Sequence, residues 1–134
     1  MVLGYMPGSQ KLKIGIVGVG MVGKESMRYF LESGWKRWKD LFLYDADLKK
    51  GFLDSVEKAD IIFISVPTPP LRDGSCDTSI VESVVKKYHH PKRVLVIKST
   101  VEPGTAARFQ KKYKSPILFN PEFLTESQAR EDFL

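Results

Sequence analysis

Residues 13–23 read Lys-Ile-Gly-Ile-Val-Gly-Val-Gly-Met-Val-Gly, and the reading of this stretch decides the fold. Gly18, Gly20 and Gly23 form a G-x-G-x-x-G. An apolar run, Ile14 to Val17, leads into it, and a helical pattern, Met21 to Ser33, leads out. Strand, glycine turn and helix in that order mark a dinucleotide fingerprint rather than a chance glycine cluster. Gly18 permits the tight turn, Gly20 lets the backbone approach a pyrophosphate, and Gly23 lets helix and strand pack closely. Free N–H groups and the dipole at the helix start favour the negative charge of a phosphate.

A second apolar run, Leu41 to Tyr44, ends in Asp45, 22 residues beyond Gly23. A carboxylate at that strand tip accepts both ribose hydroxyls of NAD and repels the 2′-phosphate of NADP, so NAD is the expected cofactor. Lys49 and Lys50 follow; their spacing suits a solvated charge pair and a cofactor contact equally.

Three more strand-like runs follow: Ile61–Val66, Arg93–Lys98 and Ile117–Phe119. With Lys13–Val17 and Leu41–Tyr44 they make five, each apolar nearly throughout, as in strands covered on both faces. Helical patterns separate most of them. In residues 79–88, Ile80, Val81, Val84, Val85 and Tyr88 share one face, and Ser79-x-x-Glu82 has the form of a capping box. Gly104 to Tyr113 is the next helical stretch, and Gly34 suits the C-cap of the first. Alternating strands and helices predict an α/β fold, a doubly wound parallel sheet with right-handed crossovers. The 134 residues fit one domain over residues 11–134, preceded by a loose tail over 1–10.

Composition narrows the class. Hydrophobic content of 43% with 28% charged residues fits a soluble globular protein. No apolar run reaches the length of a membrane span, and the first ten residues lack the form of a signal peptide. The single cysteine, Cys76, excludes an internal disulfide and suits a reducing, cytoplasmic setting. It sits in a polar turn with no histidine near, so it reads as inert. His89 and His90 at a helix end make a poor metal site, and no metal is expected. The net charge of +5 favours anionic partners. Trp35-Lys36-Arg37-Trp38-Lys39 could stack on nucleic-acid bases, but the lysines elsewhere are scattered; a solvated connection between helix and strand is the favoured reading.

Ligands of such folds lie at the carboxyl ends of the strands. The last three strands end in Val66-Pro67-Thr68-Pro69-Pro70, in Lys98-Ser99-Thr100-Val101, and in Asn120-Pro121-Glu122. Position alone makes Thr100 and Glu122 ligand-facing candidates.

These strings resemble the N-terminal NAD-binding domain of the UDP-glucose/GDP-mannose dehydrogenase family. The similarity is carried by residues 16–23, residues 59–69 (Ala-Asp-Ile-Ile-Phe-Ile-Ser-Val-Pro-Thr-Pro), residues 98–105 (Lys-Ser-Thr-Val-Glu-Pro-Gly-Thr) and residues 120–126 (Asn-Pro-Glu-Phe-Leu-Thr-Glu). The family oxidises the C6 alcohol of a nucleotide sugar twice, with two NAD. The resemblance implies cofactor contacts from Gly18, Val19, Gly20, Met21, Val22, Gly23, Asp45, Lys50, Val66, Pro67, Thr68, Pro69, Pro70, Ser99, Thr100, Val101 and Glu126. It implies that Thr100 helps hold a catalytic water and that Glu122 is the acid/base residue for hydrolysis of a thioester. The family's nucleophilic cysteine and its lysine match nothing here, and Cys76 does not stand in for that cysteine. The UDP- or GDP-sugar therefore becomes a partner only with a further domain.

The sequence also departs from the family internally. Only 14 residues separate Asp45 from Asp60, where the family has about two more elements. A helix of ~11 residues covers ~16 Å, about one strand length, so a single crossover fits and a helix, strand and helix do not. The family's usual third strand should be missing, and the expected sheet order is 2-1-3-4-5. That leaves Leu41–Tyr44 on the margin, where unpaired backbone groups would favour a homo-oligomer with Phe42 in the contact, unless residues 35–39 fold over the edge. Three functions stay open: the NAD-binding part of a nucleotide-sugar dehydrogenase, a stand-alone NAD or nucleotide module, and a basic nucleic-acid binder.

Overall fold

A computed structural model of the chain describes residues 11–121. Five parallel strands form one sheet: β1 (Ile14–Val17), β2 (Leu41–Tyr44), β3 (Ile61–Ile64), β4 (Val94–Ile97) and β5 (Ile117–Phe119). Their spatial order is β2-β1-β3-β4-β5, the order expected for a sheet lacking the usual third strand. Helices α1 (Met21–Glu32), α2 (Ser79–Tyr88) and α3 (Thr105–Lys112) complete a Rossmann-like α/β fold.

The period-two alternation of each strand assigns its side chains to two cores. Ile14, Ile16, Leu41, Leu43, Phe63 and Val96 meet Phe30 and Trp35 on the α1 face. Val17, Phe42, Ile62, Ile64, Leu95 and Ile97 meet Val81, Val85 and Tyr88 of α2 and Phe109 of α3 on the other. Phe42 is thus core, and it is not available as an intermolecular contact.

The link from β2 to β3 is not the single helix its length allowed. It is an irregular segment with two 3-10 turns, Leu48–Lys50 and Val56–Lys58. Local chemistry explains this. The Asp47 side chain accepts from Lys49 N at 3.1 Å, and Gly51 then turns left-handed at φ 74°, which ends the turn. Without a helix to hold it off, the segment lies directly on the sheet. Fully buried Val56 sits over Gly15, where a Cβ would come within 2.8 Å of Val56 Cγ1.

The same segment changes the expectation for the sheet margin. Each edge-facing group of β2 has a partner inside the chain. Leu41 N donates to Lys36 O, and Leu41 O accepts from Trp38 N. Leu43 N donates to the Asp54 carboxylate, and Leu43 O accepts from Asp54 N. Asp45 N donates to Phe52 O. The β2 edge is therefore closed, by residues 36–38 and 52–54 together rather than by exposed lysines.

Two local readings are corrected. The 79–82 pair forms no capping box: Ser79 N donates to Asp77 Oδ1 at 2.9 Å, while Glu82 accepts from Lys112 Nζ and Tyr113 Oη. In residues 35–39, Trp35 is buried and donates through Nε1 to Leu12 O. Trp38 is 70% exposed, but its ring carries the Arg37 guanidinium at 4.3 Å and its Nε1 donates to Asp54 Oδ1. The interleaved rings and cations serve the chain itself.

Candidate functional site

The glycine turn sits between the end of β1 and the start of α1. Gly18 takes φ +92°, and a Cβ there would lie 2.4 Å from Ser65 O. A Cβ on Gly23 would fall 1.9 Å from Gly18 O. Both positions are closed to any side chain by neighbouring backbone. Gly20 differs: no atom lies within 4 Å of its Cβ position, so it borders open space. It is the N-cap of α1, no side chain caps that helix, and no acidic residue occupies its first turn. The helix start is left to an anion.

The open space is a cavity of about 310 Å³ lined by Gly18, Gly20, Met21, Val22, Asp45, Lys50, Ser65, Val66 and Pro67. A second cavity of about 480 Å³ shares Gly18, Asp45, Val66 and Pro67 with it and continues over Tyr44, Ile80, Ser83, Val84 and Lys87. Asp45 stands where the two meet. Its Oδ2 accepts from Val19 N at 2.7 Å, and its Oδ1 from Asp47 N at 2.8 Å. Lys50 Nζ lies 3.4 Å from Oδ2 and donates to Val19 O at 3.2 Å. Burial works against the charge on Asp45, but the Asp47 and Val19 amides and Lys50 together outweigh it and hold the carboxyl below its ordinary value. A carboxylate offers about four acceptor positions, so at least one remains for a hydroxyl. An opening at a helix start, an ionised carboxylate and a larger, mainly apolar recess suit the diphosphate, ribose and base of a dinucleotide.

Several expected residues are brought together here: Gly18, Val19, Gly20, Met21, Val22, Gly23, Asp45, Lys50, Val66 and Pro67. Thr68, Pro69, Pro70, Ser99, Thr100 and Val101 line neither cavity. Ser99 is buried, and its hydroxyl donates to Val66 O at 2.7 Å, which ties the end of β4 to that of β3. Val101 is core, and Thr100 is exposed at the end of β4. Glu122 and Glu126 lie outside the described residues. Sequence reasoning missed Tyr44, Ile80, Ser83, Val84 and Lys87. The signal was present in α2: Ile80/Val84 and Ser83/Lys87 are i, i+4 pairs, a stripe that borders the core stripe and shares Val84 with it. Ile80 belongs to that second stripe and not to the core.

Cys76 lies apart, in the loop before α2, where its backbone N donates to Glu102 Oε1. Among the described residues no group of three or more His, Cys, Asp or Glu is placed to hold a metal ion, and no helix is long and apolar enough to cross a membrane.

Comparison with known proteins agrees with this geometry. The NAD-binding domain model of the UDP-glucose/GDP-mannose dehydrogenase family matches residues 44–134. The UDP-glucose 6-dehydrogenase of Pseudomonas aeruginosa is 36% identical over 104 residues, which is 67% of this chain and 22% of that protein. The UDP-glucose dehydrogenase structure of Pyrobaculum islandicum superimposes with a TM-score of 0.70 at 27% identity, covering 96% of this chain and 40% of that one. The UDP-N-acetyl-mannosamine dehydrogenase of Staphylococcus aureus shares the fold, with a TM-score of 0.72 at 21% identity over 91% of this chain and 39% of that one. The chain spans about a quarter of the length of the curated relatives it matches. It belongs to the UDP-glucose/GDP-mannose dehydrogenase family and carries that family's NAD-binding domain.

Proposed function

We propose that this chain is the cofactor-holding part of a nucleotide-sugar dehydrogenase that oxidises the C6 alcohol of a UDP- or GDP-sugar, with NAD seated across the two cavities. The observation that carries the reading is the position of Asp45. Its carboxylate is fixed by the Val19 and Asp47 amides at the junction of the helix-start opening and the apolar recess. Gly20 and the first turn of α1 then face the diphosphate, Asp45 takes the adenosine ribose, and Ile80, Val84 and Lys87 border the base. When bound, NAD supplies the acceptor for the hydride leaving the substrate carbon. The chain's own residues bind and orient it: Val66 and Pro67, beside Gly18, line both parts of the cleft. By family resemblance Thr100 holds a water and Glu122 moves its proton; in sequence the two follow β4 and β5, which are paired neighbours in the sheet.

Calorimetry with NAD, NADP and UDP-glucose tests the first part of the proposal. NAD is expected to bind at least about tenfold more tightly than NADP, a difference of ~1.4 kcal/mol or more from like-charge repulsion at Asp45. Asp45→Ala should weaken NAD and narrow the gap. Equal affinities of the parent chain for NAD and NADP would overturn the assignment of Asp45.

A further inference from the structure

We propose that the Arg37–Asp54 pair positions Asp45 and so helps set the preference for NAD over NADP; this rests on the reading of Asp45 as the ribose acceptor. Asp45 opens a ten-residue loop that ends at Asp54. The loop is fastened at its far end by one carboxylate. Asp54 Oδ2 accepts from Arg37 Nε at 3.0 Å and from Leu43 N at 2.9 Å, and Oδ1 from Arg37 Nη2 at 3.0 Å and Trp38 Nε1 at 2.9 Å. The side chain is 4% exposed, and four donors fill its acceptor positions. The same Arg37 Nη2 donates to Gly51 O at 2.9 Å, inside the loop.

The near end depends on that clasp. Asp45 N donates to Phe52 O at 2.9 Å, two residues before Asp54. The backbone that presents the carboxylate is thus held by a carbonyl whose place the clasp sets. A backbone outlier stands at the same point. Trp38 has φ +68°, a left-handed conformation rare for a bulky residue, and it is kept there by its bond to Asp54 and the stacked guanidinium. Neither Arg37 nor Asp54 lines either cavity. They act through Asp45 and are positioning residues.

The test is a double-substitution cycle read by the Kd values for NAD and NADP. Asp54→Asn keeps the size of the side chain and removes its charge. It is expected to weaken NAD about tenfold and NADP less than threefold, so that the ratio of the two falls. In an Asp45→Ala background Asp54→Asn should change NAD affinity less than twofold. Arg37→Lys keeps the charge but loses the planar fork, and should lower the ratio by a smaller factor. It serves in place of Asp54→Asn should that variant not fold. A merely structural pair would weaken both cofactors alike, or show its full effect without Asp45, and either result overturns the proposal. If Asp45→Ala alone leaves NAD affinity unchanged, the ribose assignment fails and the positioning role fails with it. If Asp45→Ala weakens NAD while both clasp variants keep the parent's ratio, only the positioning role fails.

Discussion

Asp45 and Asp54 are both charged and hydrogen-bonded by backbone amides at the margin of one strand, and their surroundings divide their roles. Asp45 borders two cavities and keeps an acceptor position unused; Asp54 is sealed in, with every position taken. Burial penalises the charge on Asp54, but the Arg37 fork, the Leu43 amide and Trp38 outweigh it and hold the carboxyl below its ordinary value. The sign of the pH effect follows. A depressed folded-state value stabilises the fold above the unfolded-state value, near 3.9, and that contribution is lost as pH falls through the folded-state value. Asp54→Asn should therefore cost about 2 kcal/mol at neutral pH, since it removes the charge from hydrogen bonds with Arg37, which keeps partial access to water and its bond to Gly51 O. The gap between variant and parent should narrow steadily in acid below about pH 4. Urea unfolding across that range measures it, and a gap that widens in acid would contradict the role of the pair.

At the scale of elements, the unusual feature is a crossover with no helix, pressed against the sheet. Gly15 is what permits it. Glycine inside a strand normally costs about 0.5–1 kcal/mol relative to alanine, so Gly15→Ala would stabilise an uncovered strand. Here the new methyl meets Val56 Cγ1 at 2.8 Å, Ala59 Cβ at 3.1 Å and Ile62 Cγ1 at 3.2 Å. Overpacking costs about 1–3 kcal/mol, so it exceeds the propensity gain. Gly15→Ala should lower the denaturant midpoint, and Val56→Ala in the same chain should restore part of the loss; a raised midpoint for Gly15→Ala would contradict the packing.

The sheet order was legible because 14 residues between Asp45 and Asp60 leave no length for a further strand and its helices. The form of the crossover was not. Span alone permits a helix of the right length, and what prevents one is the cap at Asp47, the turn at Gly51 and the inward Asp54, each a tertiary or local competition that periodicity does not register. Likewise the glycine turn and Asp45 were readable from spacing, whereas the recess along α2 needed the helix docked. Only then does Ile80 separate from the core face, while Val84 serves both core and recess.

For the whole molecule, chemistry and assembly are separate matters. The described cleft holds a carboxylate, two lysines and hydroxyls but no thiol, and Cys76 sits in the loop before α2 away from both cavities. Incubating the chain with NAD and UDP-glucose should give no NADH, followed by its absorbance. NADH formation by the chain alone, abolished by Glu122→Gln, would show that the residues here suffice.

The two sides of the sheet are unequal. The β2 side has every outward backbone group engaged, while at β5, among the described residues, Leu118 is 58% and Phe119 40% exposed. In the language of polymerisation the β2 margin is an end group. A fibril built by strand pairing needs two reactive margins on each subunit, and a subunit with one can only terminate. Strand-mediated self-association of this chain should therefore stop at two copies at most, however high the concentration. Sedimentation over a concentration series should find no species larger than a pair, and a ladder of larger strand-paired species would show that the β2 edge is open.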